Sequence, residues 1–596
     1  MGMTDLALAP AILPLVGAAL ALAGKTARPA SARTLERLGA FVGLALPWLP
    51  LVLLAPSILQ GGAVEGFVGG WAPSVGVAFR FDGMAWLVNL LGFAVAGPAW
   101  VHARGSGPRG SAFTALYLVQ ASALAATSMA ADLFNLFVCL EVLGMASYVL
   151  VTESGKPGAY LASFSYLMVS AAAMVFFLLG VYGLYRLTGA LEYGAVARGL
   201  SALPDSGGHA ALASVAAIAA AIALRTAVMP LYGWLPEAHA LAPHAVSAVL
   251  SGVLIKTPLF ALTRILVLLP GGGETGAILG AAGAIAAPIG VVIALSQTDA
   301  KRLLAYHSIS QIGYVVAAWG AGVALIAADP DGAGASAGAV LVAAAYLHAL
   351  AHALFKGLLF LSVGTVTDVA AERDVYRLRG AGRALRRAGE RLPVTTLAFA
   401  VGALSIMAIP PFNGYASKAA LSAALKGRWQ YWTLLAASVG TVASFIKLSL
   451  VFRRPKPAAS TETFSEEAPP AVADTATEAP ESGAEKVPIS AKLATATLAA
   501  ACLAGGLAAP RLYRVVATAL GAAPGATDAW SAALYAPAEL LKTAGLAAGG
   551  LALFALARTA PGKALASAIR NRPRGFHGLF LALCLGMAAL TAWLIR

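Results

Sequence analysis

Apolar runs, each about twenty residues and so long enough to cross a bilayer as one helix, follow one another along almost the whole chain. Nothing else in the sequence constrains the fold as strongly. A span in lipid has to satisfy its own backbone hydrogen bonds, so such runs read as helices. Candidate spans cover 6–23, 35–60, 82–102, 111–130, 132–151, 159–185, 210–229, 244–269, 274–296, 303–327, 338–366, 393–425, 429–452, 489–509, 541–558 and 575–595. That makes about sixteen. The composition, 59% hydrophobic and 11% charged, agrees with an all-α polytopic membrane protein rather than a soluble one. Residues 62–81 are Gly-rich and alternate weakly, which predicts a surface hairpin. Pro524 and Pro537 argue against one continuous lateral helix over 510–540.

The net charge of +14 would point to nucleic acid in a soluble chain. Here the Lys and Arg residues sit in short loops and act as topology signals. They follow spans one, three, nine, eleven and thirteen and precede the last. That side is expected to be cytoplasmic, with both termini outside the cell membrane. Residues 454–488 are polar, acidic and Pro-rich, which predicts a disordered cytoplasmic linker. No charged n-region precedes residues 6–23, so this run is expected to be a retained span. Cys139, Cys502 and Cys584 lie in separate runs, and there is no Cys/His cluster and no GxGxxG on a βαβ unit. These absences predict no metal, no cofactor and no catalytic centre within the chain.

Two spans are broken by proline. One break surrounds Pro230 and Pro236; the other holds Pro410, Pro411 and Gly414 in IPPFNGYASK. Proline removes a donor and clashes with the preceding turn. At membrane depth such a break survives only inside protein or beside a wet cavity. Paired breaks in two halves point to an inverted-repeat transporter. Ionisable residues lie inside the runs: Glu141, Arg225, Lys256, Lys418, and His348, His352 and Lys356 on one helix face at i, i+4, i+8. Each costs about 2.5–3.5 kcal/mol on insertion scales, so they are expected to be functional. Arg225 is the natural partner of Glu141 and holds its proton permanently, whereas a desolvated lysine can release one. The histidine pair lacks the HExxH glutamate and a third ligand, so a proton relay is preferred to a metal site. His307 is a further relay candidate. His239 and His244 are expected near the cytoplasmic mouth. Lys447 reads equally as relay or as snorkelling.

Five strings in order, DLFNLFVCLEVLGMASY, PLYGWLPEAHALAPHAVSAVLSGVLIKT, SQTDAKRLLAYHSISQIGY, HALAHALFKGLLFLSVG and IPPFNGYASK, resemble the antiporter-like proton-translocating membrane subunits. These occur in respiratory complex I, membrane-bound hydrogenases and Mrp-type antiporters. The resemblance covers roughly 80–455. It implies about fourteen core helices with two inverted five-helix repeats, and a hydrated polar axis carried here by Glu141, Arg225, Lys256, His348 and Lys418, with His352 and Lys356 nearby. Two positions depart from the family pattern: its seventh-span lysine is Arg225 and its PxHxWLP histidine is Tyr232. The first puts proton passage through the first half in doubt and makes Glu141–Arg225 a candidate fixed gate.

The expected organisation is therefore 1–110 as N-terminal spans and hairpin, 111–270 and 271–453 as the repeats, 454–488 as linker and 489–596 as C-terminal spans. The expected function is H⁺ translocation within a multisubunit membrane complex, coupled to Na⁺/H⁺ antiport or to a redox module of the NADH-quinone oxidoreductase or hydrogenase kind. The expected partners are other membrane subunits and the lipid bilayer, and no nucleic acid. A non-conducting scaffold and a partner subunit for inorganic carbon uptake are the alternatives.

Overall fold

The computed structural model describes residues 2–26, 29–68, 77–453 and 486–571. Among them, fourteen helices are long and apolar enough to cross a membrane. From Met3–Thr26 to Ala333–Ala370 they follow the order read from the apolar runs. The 393–425 run is instead two short helices, Val394–Ile406 and Asn413–Ala424. Pro410 and Pro411 deny the intervening turn its donors. The 575–595 run and most of the acidic tract lie outside the described residues. Over 510–540 the chain forms Ala509–Ala519 and Asp528–Ala533 before Pro537–Ala557 begins.

The hairpin is present as strands Val64–Val68 and Val77–Phe81, antiparallel with Val64 opposite Phe81. Ala78 and Phe81 are buried, while Arg80 reaches Glu65 at 2.8 Å on the open side. Asp132 ties the hairpin to the bundle. Its carboxylate caps Leu133–Thr152 by accepting from Asn135 N at 2.6 Å and also accepts from Ala78 N at 2.9 Å. Arg264 completes this end, donating to Asp82 and to the Ser128 carbonyl, both at 2.6 Å.

The centre of the bundle is formed by His244–Leu266, which is wholly buried, with Ala300–Ala328 and Ala333–Ala370 packed about it. Pro537–Ala557 lies at the opposite extreme, with only 6% of its apolar window covered. Lys256, His307, His348, His352 and Lys356 therefore sit on the central helices.

The two proline breaks share one hydrogen-bond pattern. In the first, Ala227 N bonds Leu224 O and Val228 N bonds Ala223 O; in the second, Ala408 N bonds Ser405 O and Ile409 N bonds Leu404 O. This is a Schellman closure with a left-handed residue, normally glycine, at its end. Both breaks place alanine there, Ala227 at φ 56° and Ala408 at φ 61°. The Met229–Pro230 and Pro410–Pro411 peptides that follow are both cis. Gly414 then packs so tightly that a Cβ would fall 1.8 Å from the Ser405 carbonyl oxygen.

Candidate functional site

Each broken or distorted helix leaves carbonyls without their usual donors, and at membrane depth a protein group has to supply them. Here lysines do so. Ile406 would receive its helical bond from residue 410, which is proline. Lys418 Nζ donates to that carbonyl instead, at 2.9 Å. In His244–Leu266 the chain widens into a π segment, Leu250–Leu254. The Ile255 and Lys256 amides skip to Leu250 and Val253, and Lys256 Nζ turns back to the carbonyls of Ser251, at 3.0 Å, and Gly252. Pro258, which cannot donate to Leu254, explains why the irregularity falls there. Such π segments recur at functional sites. Lys301 caps Ala242 O at 2.7 Å. Lys447 caps Leu295 O at 2.8 Å and Gln297 O at 2.5 Å, at the end of Gly272–Ser296. Lys356 donates to Leu304 O and lies 5.0 Å from the Phe360 ring centroid.

Lys256, Lys301 and Lys356 have no accessible surface, and Lys418 is buried. Lys256 is within electrostatic reach of Lys356, His348 and His352. His307 is within electrostatic reach of both Lys356 and Lys418. His348 Nδ1 meets Ser417 Oγ at 3.0 Å, beside Lys418, and its ring stands 6.4 Å from that of His352. The structure thus brings Lys256, His307, His348, His352, Lys356 and Lys418 into one buried group. Within it His348 Nε2 and both ring nitrogens of His307 and His352 have no hydrogen-bond partner in the protein.

Glu141 and Arg225 form a separate pair. Arg225 Nη1 lies 3.6 Å from Glu141 Oε1 and 3.1 Å from the Met174 sulfur. Arg225 is buried, but 28% of the Glu141 side chain is exposed. It borders an outward apolar stripe of Phe134, Val138, Met145 and Val149. Gly144 makes room for the guanidinium: a Cβ there would stand 2.5 Å from Arg225 Nη2. An aromatic row separates this pair from the lysines. Tyr148 meets Tyr166 edge-on at 4.7 Å, and Tyr166 stacks on Trp234 at 4.1 Å. Trp234 follows at 6.1 Å from His239. Pro230 and Pro236 bracket the turn that carries Trp234, and the indole donates to Leu224 O at 3.0 Å.

His239, expected near the surface, is fully buried and neither ring nitrogen has a protein partner. His244 does lie at a mouth. Its Nε2 is 2.9 Å from both Asp368 oxygens, at the edge of a cavity of about 350 Å³ lined also by Arg109, Glu153, Lys156 and Lys486. The Lys156 ammonium there is pushed down by burial, against the pull of Asp368. Sequence reasoning did not single out Arg264, Lys301 or the Asp368 partnership. The first two had one available signal, a cation next to a helix end.

The chain matches the family described as NADH:quinone oxidoreductase/Mrp antiporter, TM, over residues 130–446. The chain belongs to this family. One subunit of the NADH-quinone oxidoreductase of Desulforudis audaxviator is 33% identical over 65% of this chain and 74% of its own length. One subunit of the Na(+)/H(+) antiporter of Alkalihalophilus pseudofirmus is 28% identical over 70% of this chain and 80% of its own. Among solved structures, a chain of the Mrp complex from Dietzia sp. shares the fold with a TM-score of 0.70 at 24% identity, covering 91% of this chain and 99% of that one. A chain of the archaeal membrane-bound sulfane sulfur reductase gives 0.71 at 21% identity, with the same coverage. The protein is therefore an integral, multi-pass, antiporter-like membrane subunit, and its fold occurs in multisubunit membrane complexes.

Proposed function

We propose that this subunit moves protons through the buried group of Lys256, Lys356, His352, His348 and Lys418, within a larger membrane assembly of the antiporter or respiratory kind. One observation carries the reading: titratable side chains lie within reach of one another in the bundle core, and three of the four imidazole nitrogens of His348 and His352 have no protein partner. Buried polar atoms of this kind are normally satisfied by water, and lysine, imidazole and water together form a proton-hopping medium. His307 joins the group from Ala300–Ala328. The His244–Asp368 cavity is the access on the basic side, with Lys301 and His239 leading inward. That basic side faces the cytoplasm and the termini lie opposite.

The equivalent hydrogen bonds at the two breaks support five-helix repeats over 111–270 and 271–453, with the broken helix fourth in each. Glu141–Arg225 acts as a fixed gate, because arginine does not release its proton. The names of the relatives support H⁺ with Na⁺ as a counter-moving ion, or coupling to a redox partner. The test is transport by the reconstituted assembly with Na⁺ and pH gradients imposed separately. Proton flux that disappears in Lys256→Met and Lys418→Met, with the assembly intact, is the expected result. Unchanged flux in both variants makes the chain a scaffold.

A further inference from the structure

A second cavity, of about 1340 Å³, opens between Gly272–Ser296, Trp429–Ser449 and the C-terminal helices Pro537–Ala557 and Ala560–Asn571. It exceeds the roughly 300–1,000 Å³ of ordinary small-molecule clefts. Its depth is apolar, formed by residues such as Val292, Leu295, Leu553 and Leu565. Its basic-side rim carries Arg379, Lys447, Arg453, Arg558, Lys563 and Arg570, and no Asp or Glu lines it. Among the described residues none of these six forms an ion pair with a carboxylate. Arg379 is within electrostatic reach of Arg453 and Arg558; Lys447 is within reach of Arg570 and of one carboxylate, Asp374, which lies off the cavity lining. Like charges gathered beside an apolar hollow repel one another unless an anion joins them.

We propose that this cavity holds a diacyl anionic phospholipid, with its phosphate on the Arg453–Arg558–Arg570 rim and its chains along Val292, Leu295 and Leu553. Two features have to be met together, and only an amphiphile meets both. The chain's own acidic tract, which begins just past Arg453, has almost no large apolar residue with which to fill the hollow. The apolar run after Asn571 has no carboxylate and adds Arg572 and Arg574. Basic pockets between spans on the cytoplasmic side are a recognised setting for anionic headgroups. Ala560–Asn571, with Lys563 and Arg570 on one helix that borders the hollow, closes the site at headgroup level.

Native mass spectrometry of the full chain tests this, with phosphatidylglycerol, cardiolipin or phosphatidylcholine added to delipidated protein in neutral detergent. At least tenfold higher occupancy by the anionic lipids is expected. That preference should disappear in Arg453→Gln/Arg558→Gln/Arg570→Gln and persist in a control carrying Arg33→Gln/Arg37→Gln/Arg104→Gln. Equal binding of phosphatidylcholine to the unmodified chain overturns the proposal without recourse to any variant. Competition by glycerol 3-phosphate as strong as by the lipid also overturns it, since a bare phosphate site is then enough. So does a tenfold gain in lipid binding on deleting 460–485, which makes the acidic tract the resident occupant.

Discussion

Lys418 Nζ lies 2.9 Å from the carbonyl oxygen of Ile406, and that carbonyl is bare because residue 410 is proline. In the first half the indole of Trp234 donates to Leu224 O, a carbonyl that also accepts from Ala227 N. The two breaks share a backbone closure but differ in the side-chain donor beside it, a titratable lysine at one and a neutral indole at the other.

Lys418 should be indispensable for transport. Lys418→Met removes the titratable amine and leaves Ile406 O unpaired, which costs about 1–3 kcal/mol. Proton flux in proteoliposomes is expected to fall at least tenfold, with a small drop in melting temperature. Lys418→Arg restores the cap but not the releasable proton, so stability should return while flux stays low. Recovery of flux in Lys418→Arg would assign this position a purely structural role.

Trp234→Phe gives the opposite result. It keeps the stack on Tyr166 and deletes the bond to Leu224 O, so stability is expected to fall by about 0.5–1.5 kcal/mol. Flux per folded complex should stay within twofold of the unmodified protein. Thermal unfolding and transport measured on one preparation separate the two quantities.

The Glu141–Arg225 pair is expected to govern the first half. Arg225→Lys keeps the cation but makes it titratable, so proton flux should rise or change its pH dependence. Gly144→Val, whose side chain would occupy the space of Arg225 Nη2, should reduce flux about tenfold without preventing assembly. Flux that ignores both changes removes the gate from the mechanism.

Acid should loosen the hairpin end. Burial works against the Asp82 carboxylate, but Arg264 at 2.6 Å, the Ala85 amide and Arg80 together outweigh it and hold the carboxyl below its usual value. A depressed folded value means that Asp82 stabilises the fold above about pH 4, the unfolded value, and that this contribution is lost as pH falls through the folded one. The melting temperature of Asp82→Asn should therefore be lower than that of the unmodified chain at pH 7, and the two should converge toward pH 3. Parallel curves from pH 7 to pH 3 would show that the pair carries no linked protonation.

The sequence by itself determined most of the spans, the hairpin, both proline breaks and most of the ionisable residues held inside the apolar runs. These follow from local physics: run length fixes a crossing, proline fixes where a donor is missing, and a charge in an apolar run is costly enough to stand out. Which of those residues share a site was decided only by the tertiary structure. Lys256, His307, His348 and Lys418 come from four helices and meet because those helices pack at the centre. Glu141 and Arg225 stand apart behind Tyr148, Tyr166 and Trp234. The use of lysines as caps for freed carbonyls was equally hidden, because a carbonyl's missing donor can be read along the chain whereas the ammonium that replaces it arrives through space.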